Sequence, residues 1–159
     1  MRPKVPPRVL KNYLANSLNL STDGEAGFSL DPRLAADCFF VSDLPLSRVL
    51  LMNDSRYPWL ILVPRRSDAR EIHHLATEDQ SRLLSEISTV SFTLEKQFAP
   101  DKINVGALGN IVSQLHIHVI ARHEGDPAWP GPVWGHSPAK PYVESAAIEL
   151  AQSIAANLV

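Results

Sequence analysis

A long amphipathic helix is the feature that most constrains the fold of this 159-residue chain. Between Thr77 and Phe98, the apolar residues recur at intervals of three and four: Leu83, Leu84, Ile87, Val90, Leu94 and Phe98. This spacing predicts one apolar stripe that must be buried against another element. Thr77-Glu78-Asp79-Gln80 fits a capping box, in which the Thr77 hydroxyl accepts from the amide of Gln80. Ala99-Pro100-Asp101 is expected to end the helix.

Short apolar runs on both sides of this helix predict paired β-strands. Ser47–Met52 and Trp59–Pro64 flank a turn rich in Asn, Asp and Pro, so we expect them to form an antiparallel hairpin. Ile103–Leu108 and Gln114–Ala121 follow the helix and are joined through Gly109-Asn110. The sequence therefore predicts two strand pairs separated by one long helix.

Terminal helices complete the predicted fold. Apolar spacing predicts one helix over Pro7–Leu20 and another over about Tyr142–Leu158. Hairpin-like pairs around a crossing helix are typical of the α+β class, here an antiparallel sheet of about five strands with the long helix packed on one side. We expect an N-terminal helical extension over residues 1–30, a main domain over 31–125, and a Pro- and Trp-rich tail with a C-terminal helix over 126–159.

The composition excludes several classes of function. Lys and Arg total 15 against 17 Asp and Glu, a net charge of −2, whereas a nucleic-acid partner would require a basic face. The single cysteine, Cys38, excludes an intramolecular disulfide and a cysteine-built zinc site. The longest apolar run, Trp59–Val63, is far shorter than the roughly 20 residues that span a bilayer. Because no apolar run follows the basic start, we expect a cytoplasmic protein with no membrane attachment.

Two histidines alternate along the strand that follows Gly109-Asn110. In Gln114-Leu115-His116-Ile117-His118-Val119-Ile120, strand alternation places Gln114, His116 and His118 on one face. Two imidazoles so placed can act as nucleophile and proton handler, can bind a metal, or can be chance polar residues of an exposed strand. Zinc sites in proteins use three or four protein ligands, and the two histidines supply only two, so we predict no metal site. The other histidines lie at no telling spacing: His73, His74, His123 and His136.

The Gln114–Ile120 segment resembles the signature of the histidine triad (HIT) family, in which three histidines alternate with apolar residues. The resemblance extends back through Gly109-Asn110 and covers about Asp37 to Arg122. It is greatest to a bacterial branch of HIT-like hydrolases that shares a Pro-Trp-Leu-Ile-Leu-Val-Pro strand and a Trp-Pro-x-Pro-Val-Trp tail. In this chain those segments are Pro58–Pro64 and Trp129–Trp134.

This resemblance implies a hydrolase or nucleotidyl transferase that acts at the α-phosphate of nucleoside phosphates, such as dinucleoside polyphosphates or nucleoside phosphoramidates. His116 matches the family's nucleophile, which forms a covalent nucleotidyl-histidine, and His118 matches the last triad histidine, which contacts the transferring phosphate. A neutral imidazole is a competent nucleophile near pH 7. No cofactor is required, although a divalent cation can accompany the nucleotide. Dimeric relatives make a homodimer an expectation here.

Four further residues are expected at the binding site by the same resemblance. Gly109 and Asn110 fall where the family has a Gly-Gln phosphate loop, and glycine lets main-chain amides approach an anion. The alternative is a plain turn between strands. Asn104 is placed near the site by analogy. Asn53 lies where the family often holds the ribose hydroxyls, and its alternative role is turn chemistry.

The chain departs from the family pattern at two positions. Gln114 replaces the first triad histidine, so we expect its side chain to keep the orienting hydrogen bond while proton handling changes. Trp59 replaces a further histidine of relatives, offers an apolar ring with one N–H, and is also expected to bind the substrate. These changes leave open a non-catalytic module that binds nucleotides or docks a partner through Trp129–Trp134. That segment can equally be a lid over the site or a stiff tail packed on the core or across a dimer.

Arginines near the strands complete the candidate list. Arg122 is expected to meet either a phosphate or a carboxylate. Arg65, Arg66 and Arg70 are predicted to form a solvated charged turn.

Overall fold

The computed structural model describes residues 27–158, so the helix predicted over Pro7–Leu20 lies outside the described residues. The strands are β1 (Cys38–Asp43), β2 (Ser47–Met52), β3 (Trp59–Pro64), β4 (Lys102–Gly106) and β5 (Ile117–Arg122). The helices are α1 (Pro32–Asp37), α2 (Thr77–Phe98) and α3 (Glu144–Asn157), and a 3-10 turn covers Ile72–His74. Among the described residues, no helix is both long and apolar enough to cross a membrane.

The five strands form one antiparallel sheet in the order β1-β2-β3-β5-β4. β2 and β3 are the predicted hairpin, and β1 is an additional edge strand that pairs with β2 through a bulge between Phe40 and Ser42. The long helix α2 lies against β5, and α3 lies against β1. This architecture confirms the predicted α+β class.

Strand alternation separates two apolar clusters. Ile117, Val119 and Ala121 of β5 are buried with Leu83 and Val90 of α2 on one face of the sheet. The opposite face has a second cluster built from β2, β3 and the tail: Leu50, Trp59, Ile61, Val63, Ala128 and Val133. Each fully buried aliphatic side chain contributes about 1.5–3 kcal/mol, so the helix-side cluster is a main source of the stability of the sheet. The opposite face also carries the polar site.

The start of α2 differs from the predicted capping box. Ala76 is the N-cap and has no side-chain cap bond, and Gln80 Nε2 donates to the carbonyl of Leu75 at 2.9 Å. The capping-box prediction is therefore wrong, because Thr77 is already the first helical residue. Leu84, predicted in the apolar stripe, is 66% exposed. It lies on the solvent side of the helix.

The arginines after β3 are structural and do not form a solvated turn. Arg66 makes two hydrogen bonds to Asp79 of α2, at 2.6 and 2.9 Å. Arg65 donates to the carbonyls of Leu44 and Pro45, at 2.8 and 3.2 Å. The prediction fails for this pair because a guanidinium fork can satisfy strand-end carbonyls and a helix carboxylate at once. Only Arg70 is exposed, as expected.

β5 begins later than predicted, at Ile117. The main-chain N–H of Leu115 donates to the carbonyl of Ala69 at 2.9 Å, outside the sheet ladder. Residues 107–116 therefore form a loop over the sheet, and His116 stands at the junction between this loop and β5.

Candidate active site

An open pocket of about 510 Å³ lies on the face of the sheet that carries the two histidines. Its floor is formed by Trp59 and Ile61 of β3, by His118 of β5 and by His116 just before β5. Its walls come from α1, from the ends of β1 and β2, from the 108–112 loop and from the tail between residues 133 and 139. Five of the candidates named on the HIT resemblance therefore meet at one cavity: Trp59, Gly109, Asn110, His116 and His118.

His116 and His118 are neighbours in this pocket. Each is buried, with 7% of its surface exposed. The two ring centroids lie 4.9 Å apart, with the ring planes at 70°. A single small group of a ligand can therefore contact both rings.

A main-chain carbonyl assigns the tautomer of His116. Nδ1 of His116 lies 2.6 Å from the carbonyl oxygen of Gln114. A carbonyl oxygen only accepts, so Nδ1 carries the proton and donates it. In the neutral ring, Nε2 then holds the free lone pair, which is the form of imidazole that attacks an electrophile.

The indole of Trp59 assigns the opposite tautomer to His118. Trp59 Nε1 donates to Nδ1 of His118 at 2.9 Å. An indole N–H only donates, so Nδ1 of His118 accepts and the proton of the neutral ring sits on Nε2. Burial, together with the neighbouring His116, lowers the pKa of His118 to about 3. His118 is thus a neutral ring that can donate a hydrogen bond from Nε2, whereas Nε2 of His116 carries a free lone pair.

Gln114 lies outside the pocket, in contrast to the expected shared face. Its side-chain Oε1 accepts from the N–H of Asp31 at 2.9 Å, and its Nε2 donates to the carbonyl of Ser29 at 2.8 Å. Alternation does not reach Gln114 because the strand starts at Ile117. The residue orients His116 through its main-chain carbonyl, and its amide fastens residues 29–31 beside the loop.

Gly109 and Asn110 both line the pocket. Gly109 has φ +69°, a left-handed conformation that favours glycine. The turn brings the main chain of residues 108–112 over the pocket near the two imidazoles. Asn110 is exposed at its rim.

Asn53 and Asn104 are engaged elsewhere and are not lining residues of the pocket. Asn53 Oδ1 accepts from the N–H of Tyr142 at 2.9 Å, and Asn104 Oδ1 accepts from Arg122 at 2.8 Å. Asp54 lines the pocket instead of Asn53 and is held by Arg56 at 2.6 Å. Burial opposes ionisation of Asp54, but the hydrogen bonds and charge of Arg56 outweigh it and hold its pKa below the ordinary value. The sequence prediction did not include Asp54, and the only indication in the sequence was that it directly follows the predicted Asn53.

The tail supplies one tryptophan to the pocket and one that packs against Arg122. The Trp134 ring lies 5.5 Å from the His118 ring and 6.3 Å from the Trp59 ring, and it lines the pocket. Trp129 packs against the guanidinium of Arg122, 5.8 Å from its ring centre. The segment therefore packs on the sheet of its own chain, and its last residue forms a pocket wall.

Arg122 meets a carboxylate. Its side chain is 1% exposed and makes two hydrogen bonds to Asp126, at 2.6 and 2.9 Å. Its charge is thus neutralised in the core beneath the tail. Within residues 27–158, no group of three or more His, Cys, Asp or Glu side chains is arranged to hold a metal ion.

The antiparallel sheet, the crossing helix and the paired imidazoles define a protein of the histidine triad class. The HIT domain model matches residues 33–125, more than half of the chain. The chain belongs to the HIT family. A comparison with curated proteins yields no match.

Solved structures agree with this assignment. A histidine triad protein from Sinorhizobium meliloti is 50% identical, with 84% of this chain and 99% of that chain covered and a TM-score of 0.81. A histidine triad protein from Marinobacter aquaeolei is also 50% identical, covering 84% of this chain and 100% of its own, with a TM-score of 0.78. A diadenosine triphosphate hydrolase from Plasmodium falciparum shares the fold at 16% identity, with 93% and 95% covered and a TM-score of 0.56.

Proposed function

We propose that the protein is a nucleotide hydrolase or nucleotidyl transferase that acts at the α-phosphate through a covalent intermediate on His116. The main observation that supports this proposal is that His116 and His118 have complementary tautomers in one pocket. The Gln114 carbonyl leaves His116 with a lone pair on Nε2, and the Trp59 indole leaves His118 with a proton on Nε2. A nucleophile and a hydrogen-bond donor thus stand side by side.

In the first step, Nε2 of His116 attacks the α-phosphorus, the nitrogen–phosphorus bond forms, and the bond to the leaving group breaks with its electron pair. Nε2–H of His118 donates to a phosphoryl oxygen as charge develops there. In the second step, the oxygen of water or another acceptor attacks the phosphorus, the nitrogen–phosphorus bond breaks with its electron pair returning to Nε2 of His116, and the proton of the acceptor is released to solvent. Main-chain amides of the 108–112 loop are suited to the remaining phosphoryl oxygens, because Gly109 allows a close approach.

The pocket also suits a nucleoside. Its volume of about 510 Å³ falls within the roughly 300–1,000 Å³ common for small-molecule sites. Leu34, Met52 and Ile61 offer an apolar surface of the pocket against which a base can pack. Asp54 also lines the pocket, and as an ionised acceptor it suits the hydroxyls of a ribose. The Plasmodium hydrolase, which shares the fold, is named for a dinucleotide substrate of this kind.

A second copy of the chain is the partner we propose. β4 is an edge strand with β5 as its neighbour in the sheet, and Val105 on it is 49% exposed. An unpaired edge strand is a template for pairing with another chain. The cytoplasmic location and the accompanying divalent cation stay predictions.

Trapping the intermediate tests the proposed function. The wild-type protein, quenched during turnover of a nucleoside polyphosphate or a nucleotide aryl ester, is expected to carry one acid-labile nucleotidyl group on His116. His116→Ala is expected to lower turnover by about 1,000-fold or more. His73→Ala, an exposed histidine outside the pocket, is the matched control and should behave as wild type. Unchanged turnover in His116→Ala would refute the proposal.

The alternative of a non-catalytic binding module predicts a different pattern. Nucleotide affinity would persist in both variants, and no adduct or product would form with any substrate. Isothermal titration of a nucleoside monophosphate, run beside the trapping experiment, separates the two functions.

A further inference from the structure

Trp59 is held in one orientation by aromatic packing. It is 6% exposed and lies in the centre of the sheet, where it pairs with Ile120 across β3 and β5. The Tyr57 ring and the Trp134 ring pack edge-on against it, with centroids at 6.4 and 6.3 Å. The direction of its indole N–H is therefore fixed by the core and does not depend on a ligand.

That fixed N–H limits the protonation of His118. A protonated imidazole has N–H groups on both nitrogens. With Trp59 Nε1 at 2.9 Å from Nδ1 of His118, protonation would place two N–H groups face to face. The other ring contacts of His118 are His116 and Trp134, and neither is an acid that would stabilise an imidazolium. Burial of His118, which lowers its pKa to about 3, acts in the same direction.

We propose that Trp59 is a positioning residue that holds His118 in its neutral Nε2–H form, and that the site consequently selects nucleotides whose leaving group departs as an anion without receiving a proton. The first half rests on geometry alone. The second half rests on the proposed function and names the substrate class of that site.

The bond changes explain the selection. When Nε2 of His116 binds phosphorus, the electron pair of the broken bond stays on the leaving atom. A phosphate, a carboxylate or a phenolate is stable with that pair, whereas an alkylamine must be protonated before it leaves. The described pocket residues supply no such proton near neutral pH, because Asp54 is ionised and burial raises the pKa of the Cys38 thiol to about 12.

The chain therefore favours phosphoanhydrides, acyl phosphates and aryl esters of nucleotides over phosphoramidates of alkylamines. The family resemblance implied both dinucleoside polyphosphates and nucleoside phosphoramidates as substrates, and the proposed selection favours the first group over the second.

Nuclear magnetic resonance tests the first half without any substrate. Long-range nitrogen–proton correlations on histidine-labelled protein are expected to show His118 as the Nε2–H tautomer from about pH 5 to about pH 8. In Trp59→Phe the donor is removed, and we expect His118 to show a mixture of tautomers. Trp129→Phe, which removes an indole outside the pocket, is the matched control and should keep the wild-type pattern.

A second variant guards against a disturbed core. Benzothienylalanine at position 59 keeps the shape of the indole and replaces its N–H with sulfur, and we expect it to reproduce the Trp59→Phe spectrum. An Nδ1–H tautomer in the wild type, or an unchanged tautomer in both position-59 variants, would overturn the assignment of Trp59.

Leaving-group dependence tests the second half. The substrates are aryl esters of adenosine monophosphate with phenols of graded acidity, and one alkylamine phosphoramidate. We expect kcat/KM to fall steeply as the leaving group becomes less acidic, with the phosphoramidate slower than the most reactive ester by about 100-fold or more. Equal rates across the series would overturn the selection. A complete lack of turnover, with His118 still in the Nε2–H form, would refute the proposed function and the selection while leaving the role of Trp59 intact.

Discussion

Arg122 and Asp126 form a buried, two-pronged ion pair that holds the tail to the sheet. The carboxylate of Asp126 also accepts from the N–H groups of Ala128 and Trp129, at 3.0 and 2.8 Å. Tyr57 and Trp129 pack against the guanidinium of Arg122, 5.9 and 5.8 Å from it. The position of the Trp134 wall therefore depends on a charge pair outside the pocket.

Asp126→Ala should destabilise the protein by about 3–5 kcal/mol, because it leaves the buried Arg122 charge without its carboxylate, with only the neutral Asn104 oxygen as a hydrogen-bond acceptor. The free energy of unfolding in urea gives the measurement. Asp37→Ala breaks an exposed pair with Arg33 and is the matched control, with an expected change within about 1 kcal/mol. A similar effect of the two substitutions would contradict the structural role of Asp126.

Gly109→Ala should weaken the site through main-chain strain. The residue has φ +69°, and its nearest neighbouring atom to an added Cβ is 3.7 Å away, so the penalty is conformational and not steric. We expect a cost of about 1–2 kcal/mol in stability and a lower affinity for nucleoside monophosphate. Gly125→Ala, whose Cβ would meet nothing within 4 Å, should stay within about 0.5 kcal/mol of wild type. Equal stability of the two variants would argue against strain at Gly109.

His118 should make stability depend on pH. Its pKa is about 3 in the folded protein, against about 6.5 when unfolded, so below pH 6.5 the unfolded chain binds the extra proton. Stability contributed by the neutral ring is therefore present above about pH 6.5 and falls as pH drops toward 3, by about 1.4 kcal/mol for each pH unit.

Denaturant unfolding across this range checks that dependence. His118→Asn does not titrate and keeps an oxygen for the Trp59 N–H, so its stability should fall less steeply with acid. His73→Asn replaces an exposed ring and should keep the wild-type slope. Parallel curves for wild type and His118→Asn would show that His118 does not carry the dependence.

Gly106→Ala should displace the Trp134 wall. A Cβ at position 106 would lie 2.9 Å from Cη2 of Trp134, too close without movement. We expect the free energy of unfolding to fall by about 1–3 kcal/mol and the tryptophan fluorescence to change. In a Trp134→Phe background the shorter ring leaves room, so the same substitution should cost less. A double-mutant cycle without coupling energy would contradict this contact.

Periodicity and the HIT resemblance predicted much of the fold and the core of the site. The three-and-four spacing located α2, and the branched apolar run Trp59–Pro64 marked β3. The alternation around His116 and His118 separated a polar face from the face that packs on α2. These features are local, because each follows from the geometry of a single helix or strand.

Partners distant in sequence could not be predicted in the same way. The amide of Gln114 binds Ser29, 85 positions away, and Trp59 reaches His118 across 59 positions. Asp54 lines the pocket in place of the predicted Asn53, because Asn53 instead accepts a hydrogen bond from the distant Tyr142. Such pairings are set by how elements pack, and residue type alone offers several equivalent partners.

Gln114 connects the stretch before α1 to the ring of His116 through hydrogen bonds of its side chain and its main chain. Its amide grips Ser29 and Asp31, while its carbonyl fixes the ring of His116. Displacement of residues 29–31 is therefore expected to move the Gln114 main chain and, with it, the ring of His116.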